Sequence, residues 1–200
     1  MSGSDSKTGG FTVGLLLLGA AIIGVSYLLP SSGSAKGFHP MAGPAQPVRL
    51  VVPALKIRAP IKPIEVNDQL VLDPPRNARD IGWWQRSARP GTSRGQTVLT
   101  GHTVHTGGGV MDHLGRLHRG QIVKVVTPKG TMVYRTTRVV TWSKDELAER
   151  AGRIFGQQRS DERLVLITCS QWTGSTYKSN VVAFAHPLGV RDKARNQNRT

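Results

Sequence analysis

The chain has 200 residues, 38% hydrophobic and 20% charged, which is ordinary globular composition and enough length for one domain with a sizeable core plus appendages. Its formal net charge of +15 opens nucleic acid, an anionic membrane surface and an anionic polymer as partners. No two Lys or Arg residues are adjacent, which excludes the clustered charge of localisation signals and polybasic lipid switches. No helix-turn-helix, paired metal ligands or aromatic-basic pattern supports nucleic-acid binding.

Residues 1–10 are polar and Gly/Ser-rich, and residues 11–29 form an uncharged, mostly apolar stretch bounded by Pro30. At 1.5 Å per residue that stretch spans roughly 28 Å, close to the ~30 Å hydrocarbon core, so it reads as a transmembrane anchor behind a short cytoplasmic N-terminus. A cleaved signal peptide is the competing reading, but its apolar core is usually ~7 to 15 residues long and residues 32–35 make only a loose cleavage site. Lys7 and Lys36 orient the span poorly; the extracellular placement of the following domain is inferred from its chemistry. Residues 30–47 have the Pro/Gly/Ser/Ala composition of a flexible linker.

From residue 48 to about 190 the pattern is that of a mainly β domain. Short β-branched runs at 48–52, 55–59, 64–66 and 70–72 are punctuated by Pro53, Pro60, Pro63 and Pro74, which predicts a barrel or sandwich. The tandem Trp83-Trp84 reads as packing rather than a ligand platform. A strand over 97–103 ends near Gly101-His102, before a loop at 106–109 and a short helical turn at 111–117. Strands 121–127 and 131–140, joined by Pro128-Lys129-Gly130, predict a hairpin. Ser143 and Glu146 have capping-box spacing and Leu147, Ala151 and Ile154 recur at helical intervals, predicting one helix over 144–155. A strand over 163–168 then delivers Cys169 to a polar loop at 170–179, a last strand covers 180–185, and residues 191–200 are a basic, disordered tail.

Cys169 is the only cysteine, so it makes no internal disulfide, and the commonest fate of such a residue is that of a small buried hydrophobe. As a nucleophile it needs help, since a thiol of pKa ~8.5 is only a few per cent thiolate at neutral pH. His102 stands at the end of a predicted strand, as Cys169 does, so the two can face each other across one groove. His105, His113 and His118 have less definite placement, and no His/Cys/Asp/Glu set has metal-ligand spacing, so neither a metal nor another cofactor is expected. Acyl chemistry also needs a donor for a tetrahedral oxyanion, and Lys178 is the best placed cation after Cys169, although an isolated lysine is more often plain surface.

Taken together, PALKIRAPI (53–61), GWW (82–84), TVLTGHT (97–103), RLVLITC (163–169) and YKSNVV (177–182) resemble the sortases, cysteine transpeptidases that attach proteins to the envelope of Gram-positive bacteria. The similarity extends over residues 48–188. Leu166, Thr168 and Cys169 match the family's Thr-Leu-x-Thr-Cys signature, with Val165 in place of the first threonine, and GWW with YxxNVV is most similar to the class E and F enzymes of actinobacteria. Lys178 falls where the family has an arginine and keeps the charge without the bidentate fork. The resemblance implies an eight-stranded β-barrel with one or two short helices, and a groove for an LPxTG-like signal cleaved between Thr and Gly. It further implies Cys169 as nucleophile, His102 as general acid/base, Lys178 as oxyanion or substrate contact, and Thr103, Thr168, Ser170, Tyr177 and Asn180 as substrate-binding residues. The partners implied are surface proteins bearing the signal and an amine of a cell-wall precursor or pilin. A non-catalytic envelope-binding module and a slow hydrolase on the same barrel are the alternatives.

Overall fold

The computed structural model describes residues 36–67 and 71–191. The apolar stretch at 11–29, Leu70 and the tail from 192 onward lie outside the described residues. Among the described residues nine strands run in chain order: β1 (Phe38–His39), β2 (Arg49–Val52), β3 (Ile57–Ile64), β4 (Ile81–Trp84), β5 (Gln96–Gly101), β6 (Ile122–Thr127), β7 (Gly130–Ser143), β8 (Arg163–Trp172) and β9 (Tyr177–Arg191). Eight of them close a ring, β9-β7-β6-β2-β3-β4-β5-β8 and back to β9, and β1 is added outside it. Closure removes most of the free edges that a sheet would otherwise expose, leaving an edge where β9 runs on past β8, which β1 takes.

Most of the sequence expectations hold, and the departures have local causes. β3 runs straight through Pro60 and Pro63, because its first half pairs with β2 and its second with β4; each half has one bonded neighbour, where a missing N–H is tolerated. The runs expected at 64–66 and 70–72 therefore contribute only Ile64 to a strand among the described residues. The hairpin forms as expected, with Thr127 and Gly130 as its closing pair. The helix over 144–155 is two pieces, α1 (Lys144–Glu149) and α2 (Ala151–Phe155). Ser143 and Glu146 make the full capping box at its start. The break at Arg150 follows from its own side chain: Nη1 donates to the Glu146 carbonyl at 2.8 Å, and the Arg150 N–H turns back to Leu147 instead.

Two expectations are corrected. The linker at 30–47 is not free spacer in its described part. Phe38 and His39 pair with Arg191 and Val190 on the far end of β9, and Met41 and Ala45 are buried. That approach depends on Gly189 (φ 111°), where a Cβ would stand 2.4 Å from the His39 carbonyl oxygen. The polar segment at 170–179 is not a loop either. β8 continues past Cys169 to Trp172 and β9 begins at Tyr177, because Ser170 pairs with Ser179 and Trp172 with Tyr177. Stacking adds to that pairing: Trp172 lies 5.0 Å from the Tyr177 ring and 4.3 Å from that of His105.

Alternation along the strands sorts the core into two layers. Leu50, Ile81, Trp83, Leu99, Tyr134, Leu164 and Leu166 fill the barrel interior. Val98, Val165, Ile167, Val182 and Phe184 face outward under Ile154 and Phe155 of α2. β5 and β8 are thus covered on both faces, which is why neither sequence alternates apolar with polar residues: β8 carries a continuous apolar run over 164–167, and β5 buries Gln96, Thr97 and Thr100 alongside Val98 and Leu99. Trp84 packs edge-on against Phe155 at 6.1 Å, so both tryptophans serve packing as expected.

Candidate active site

β5 and β8 are parallel neighbours, with Thr100 opposite Ile167. Parallel strands end on the same side, so the same register carried onward sets Gly101 beside Thr168 and His102 beside Cys169. Thr168 ties this junction. It is 2% exposed, its hydroxyl donates to the Gly101 carbonyl at 2.7 Å, and with its one proton spent there it accepts from the Thr103 hydroxyl at 2.7 Å. Thr168→Val keeps the shape and strands both partners, so it is expected to cost about 1–3 kcal/mol. Thermal denaturation checks this: a fall in Tm of roughly 2–4 °C per kcal/mol is expected for a chain of this size.

Cys169 is half-buried and lines a cleft of about 490 Å³. One wall is Thr103, Val104 and His105, the other Cys169 to Trp172 with Tyr177, and Val181 and Met111 lie between. The Tyr177 hydroxyl donates to the Thr103 carbonyl at 2.8 Å, joining the two walls. The loop at 103–111, glycine-rich in sequence, is fixed by Asp112, whose carboxylate accepts from the Val104 and Gly109 N–H groups at 2.8 and 3.0 Å. Ser170 also lines the cleft, and its hydroxyl is buried with no hydrogen-bond partner among the described residues.

Burial pushes the Cys169 thiol above its ordinary pKa; Lys144, the first residue of α1, pulls it down and Asp73 pushes it up. The His102 Nε2 lies 2.8 Å from the Pro75 carbonyl oxygen. A carbonyl only accepts, so Nε2 carries the proton and Nδ1 is the ring atom left to exchange one. Across the sheet, Cys169 pairs with Asn180, whose Nδ2 stands 4.0 Å from Sγ and 3.4 Å from the Thr168 carbonyl oxygen.

The sequence-predicted residues therefore divide. Thr103, Thr168, Cys169, Ser170 and Tyr177 share the cleft, Asn180 stands opposite Cys169, and His102 adjoins it with its ring turned to Pro75 rather than into the cleft lining. Lys178 is exposed and outside that lining, one alternation beyond Asn180. Lys144 and Asp73 act on the thiol from segments far away in sequence, with no motif to flag them; Trp172 and His105 form a stacked rim that spacing alone does not reveal.

No curated protein matches the chain. Among solved structures, the fold is similar to sortase C-1 from Actinomyces oris (19% identity, 71% of this chain and 74% of that one, TM-score 0.55). It is also similar to sortase A from Corynebacterium diphtheriae (16%, 79% and 66%, TM-score 0.58) and to sortase C from Streptococcus pneumoniae (13%, 72% and 67%, TM-score 0.57). At these identities the likeness shows the fold. The sortase domain model matches residues 50–188, most of the chain and nearly all of the closed ring, and the chain accordingly belongs to the sortase family of cysteine transpeptidases.

Proposed function

We propose that this sortase is a membrane-anchored transpeptidase of the class E/F type, held by residues 11–29 with its barrel outside the cell. It cleaves an LPxTG-like C-terminal signal between Thr and Gly and transfers the acyl group to an amine of a cell-wall precursor or a pilin. The single observation that carries the reading is the juxtaposition at the cleft: a half-buried thiol, an amide 4.0 Å from it, and a histidine at the matching end of the parallel neighbour. The class rests on GWW and the YxxNVV ending.

In this reading Cys169 Sγ attacks the threonine carbonyl carbon while its proton passes to His102. The tetrahedral oxyanion takes a hydrogen bond from the Asn180 amide; the C–N bond then breaks and His102 returns the proton to the leaving glycine amine. An incoming amine attacks the thioester, gives its proton to His102 and expels the thiolate. The unpartnered Ser170 hydroxyl suits a backbone group of the bound signal, which would satisfy a buried donor otherwise left bare. With its pKa raised, Cys169 rests as the thiol in the free enzyme, and the thiolate forms as the attack proceeds.

The direct test incubates the full chain in neutral detergent with a fluorogenic LPxTG peptide and an amine, following a Cys169-linked acyl-enzyme by intact mass. Absence of that adduct with every peptide of this type would overturn the proposal. Two further outcomes are expected. Iodoacetamide alkylation of Cys169 speeds up with pH through and beyond the ordinary thiol range, since a raised pKa leaves less thiolate at neutral pH; Asp73→Asn accelerates it at neutral pH and Lys144→Ala slows it. In steady-state kinetics Asn180→Ala lowers kcat/KM by roughly 10²-fold, as for loss of one oxyanion donor, whereas Lys178→Ala, at an exposed position, costs only a few-fold.

A further inference from the structure

On the outer face of the barrel, arginines from four places in the chain converge on a cavity of about 160 Å³. Arg138 comes from β7, Arg153 from α2, Arg159 from the connection ahead of β8, and Arg163 is the first residue of β8; His186 of β9 completes the wall and Trp142 lies at one end. This cavity and the catalytic cleft have no lining residue in common. Arg163 lies about 20 Å along β8 from Cys169, at ~3.3 Å per residue.

The positive groups are held in place and short of counter-charge. Arg163 stacks over the Phe184 ring at 4.6 Å, while its Nε and Nη2 donate to Gln96 Oε1 and Nη2 also to the Arg153 carbonyl. Arg138 lies 5.8 Å over Trp142. Among the described residues Asp161 is the one carboxylate paired with this group, 2.6 Å from Arg159 Nη2 and 3.7 Å from His186 Nδ1. The Arg159 Nε is buried with no hydrogen-bond partner among the described residues. Burial first, then Arg159 and to a smaller extent Arg153, depress the Arg163 pKa to about 10, with Asp161 only partly offsetting them.

An oxyanion answers both deficits, the bare donor and the uncompensated charge. A carboxylate brings one charge and two oxygens, and Asp161 already supplies one. A phosphoryl group brings up to two charges and three strong acceptors, and guanidiniums pair with it bidentately. The cavity holds several waters' worth of space at ~30 Å³ each, enough for such a group.

We propose that this four-arginine cavity is a binding site for a phosphoryl group, carried by a soluble phosphorylated compound or by an anionic lipid headgroup. The test follows the Tm of the full chain in neutral detergent at fixed ionic strength, titrated with pyrophosphate in one arm and with phosphatidic acid, a phosphomonoester headgroup, doped into the micelles in the other. A saturable rise is expected in at least one arm. The Arg138→Ala/Arg153→Ala pair, at exposed positions, is expected to weaken the apparent affinity roughly tenfold or more, as is Arg159→Ala. Arg49→Ala/Arg58→Ala, exposed on β2 and β3 across the ring from β8 and β9 and outside the cavity lining, is expected to leave it unchanged. A response to pyrophosphate assigns the soluble source, and a response to the lipid alone assigns the headgroup. No saturable response in either arm, or equal weakening by the Arg49/Arg58 pair, overturns the site.

Discussion

Cys169→Ala is expected to abolish acyl-enzyme formation and reduce transpeptidation to the uncatalysed background, because no other thiol exists in the chain to take over the attack. Loss of His102 is expected to be nearly as severe. His102→Gln keeps a group able to donate to the Pro75 carbonyl, 2.8 Å from the ring in the native protein, but removes the proton acceptor, so the rate should fall by about 10²–10⁴-fold. The double variant should be little worse than Cys169→Ala alone, since the two groups act as one unit. Both proteins should retain the wild-type Tm within a degree or two, because neither side chain carries the core. Single-turnover mass spectrometry separates the effects: no adduct for Cys169→Ala, a slow one for His102→Gln. A Cys169→Ala protein with wild-type turnover would refute the assignment outright.

The second large effect concerns stability. Glu162 is 7% exposed, and its Oε1 accepts from the Tyr134 hydroxyl at 2.6 Å and the Gly91 N–H at 2.9 Å. It thereby ties β7, the head of β8 and the turn at 89–95 together inside the domain. Glu162→Ala strands two buried donors at ~1–3 kcal/mol each, so a loss of about 3 kcal/mol is expected, roughly 6–12 °C in Tm. Tyr134→Phe removes one bond and leaves Glu162 its Gly91 partner, so it should cost less. Burial raises the Glu162 pKa against the opposing pull of its two donors, and it raises that of Tyr134 well above the ordinary phenol value, the nearby Glu162 adding to the effect. A carboxyl with a raised folded-state pKa binds its proton longer in the native than in the unfolded chain. Its contribution is therefore fully present below the unfolded pKa and declines as pH rises through the folded one. Asp161 has the opposite sign, its pKa lowered chiefly by the Arg159 hydrogen bond, so its contribution is lost on acidification. Comparing Tm against pH for the wild type and Glu162→Gln isolates the first: the decline with rising pH should be missing from the glutamine variant.

Much of the architecture was legible because it rests on local rules. The capping box at Ser143 and Glu146, the Pro-Lys-Gly hairpin and the apolar run of β8 each declare themselves within a few residues. Cys169 was legible through its strand and motif. What failed was the local reading of segments whose structure comes from distant partners. Residues 36–47 have spacer composition, yet β1 forms because the end of β9 offers an open edge. Residues 170–179 look like a polar loop, yet they pair because β8 and β9 hold each other in register.

The same contrast applies to the site. Counting from Cys169 singles out Lys178 as the nearby cation, but antiparallel pairing puts Asn180 opposite Cys169, and Gln171, at φ 58°, interrupts the pairing opposite Lys178. The charges that act on the thiol come instead from Lys144 and Asp73, in segments no spacing argument connects to it. The sequence by itself determined the β class, the nucleophile candidate and its histidine, because hydrophobic period, turn residues and a lone reactive side chain are local properties. Only the tertiary structure decided that β5 and β8 run parallel, that the ring closes through β9, and that four scattered arginines share one cavity. Those outcomes depend on which strands find each other, and non-local pairing leaves no trace in the period of either strand alone.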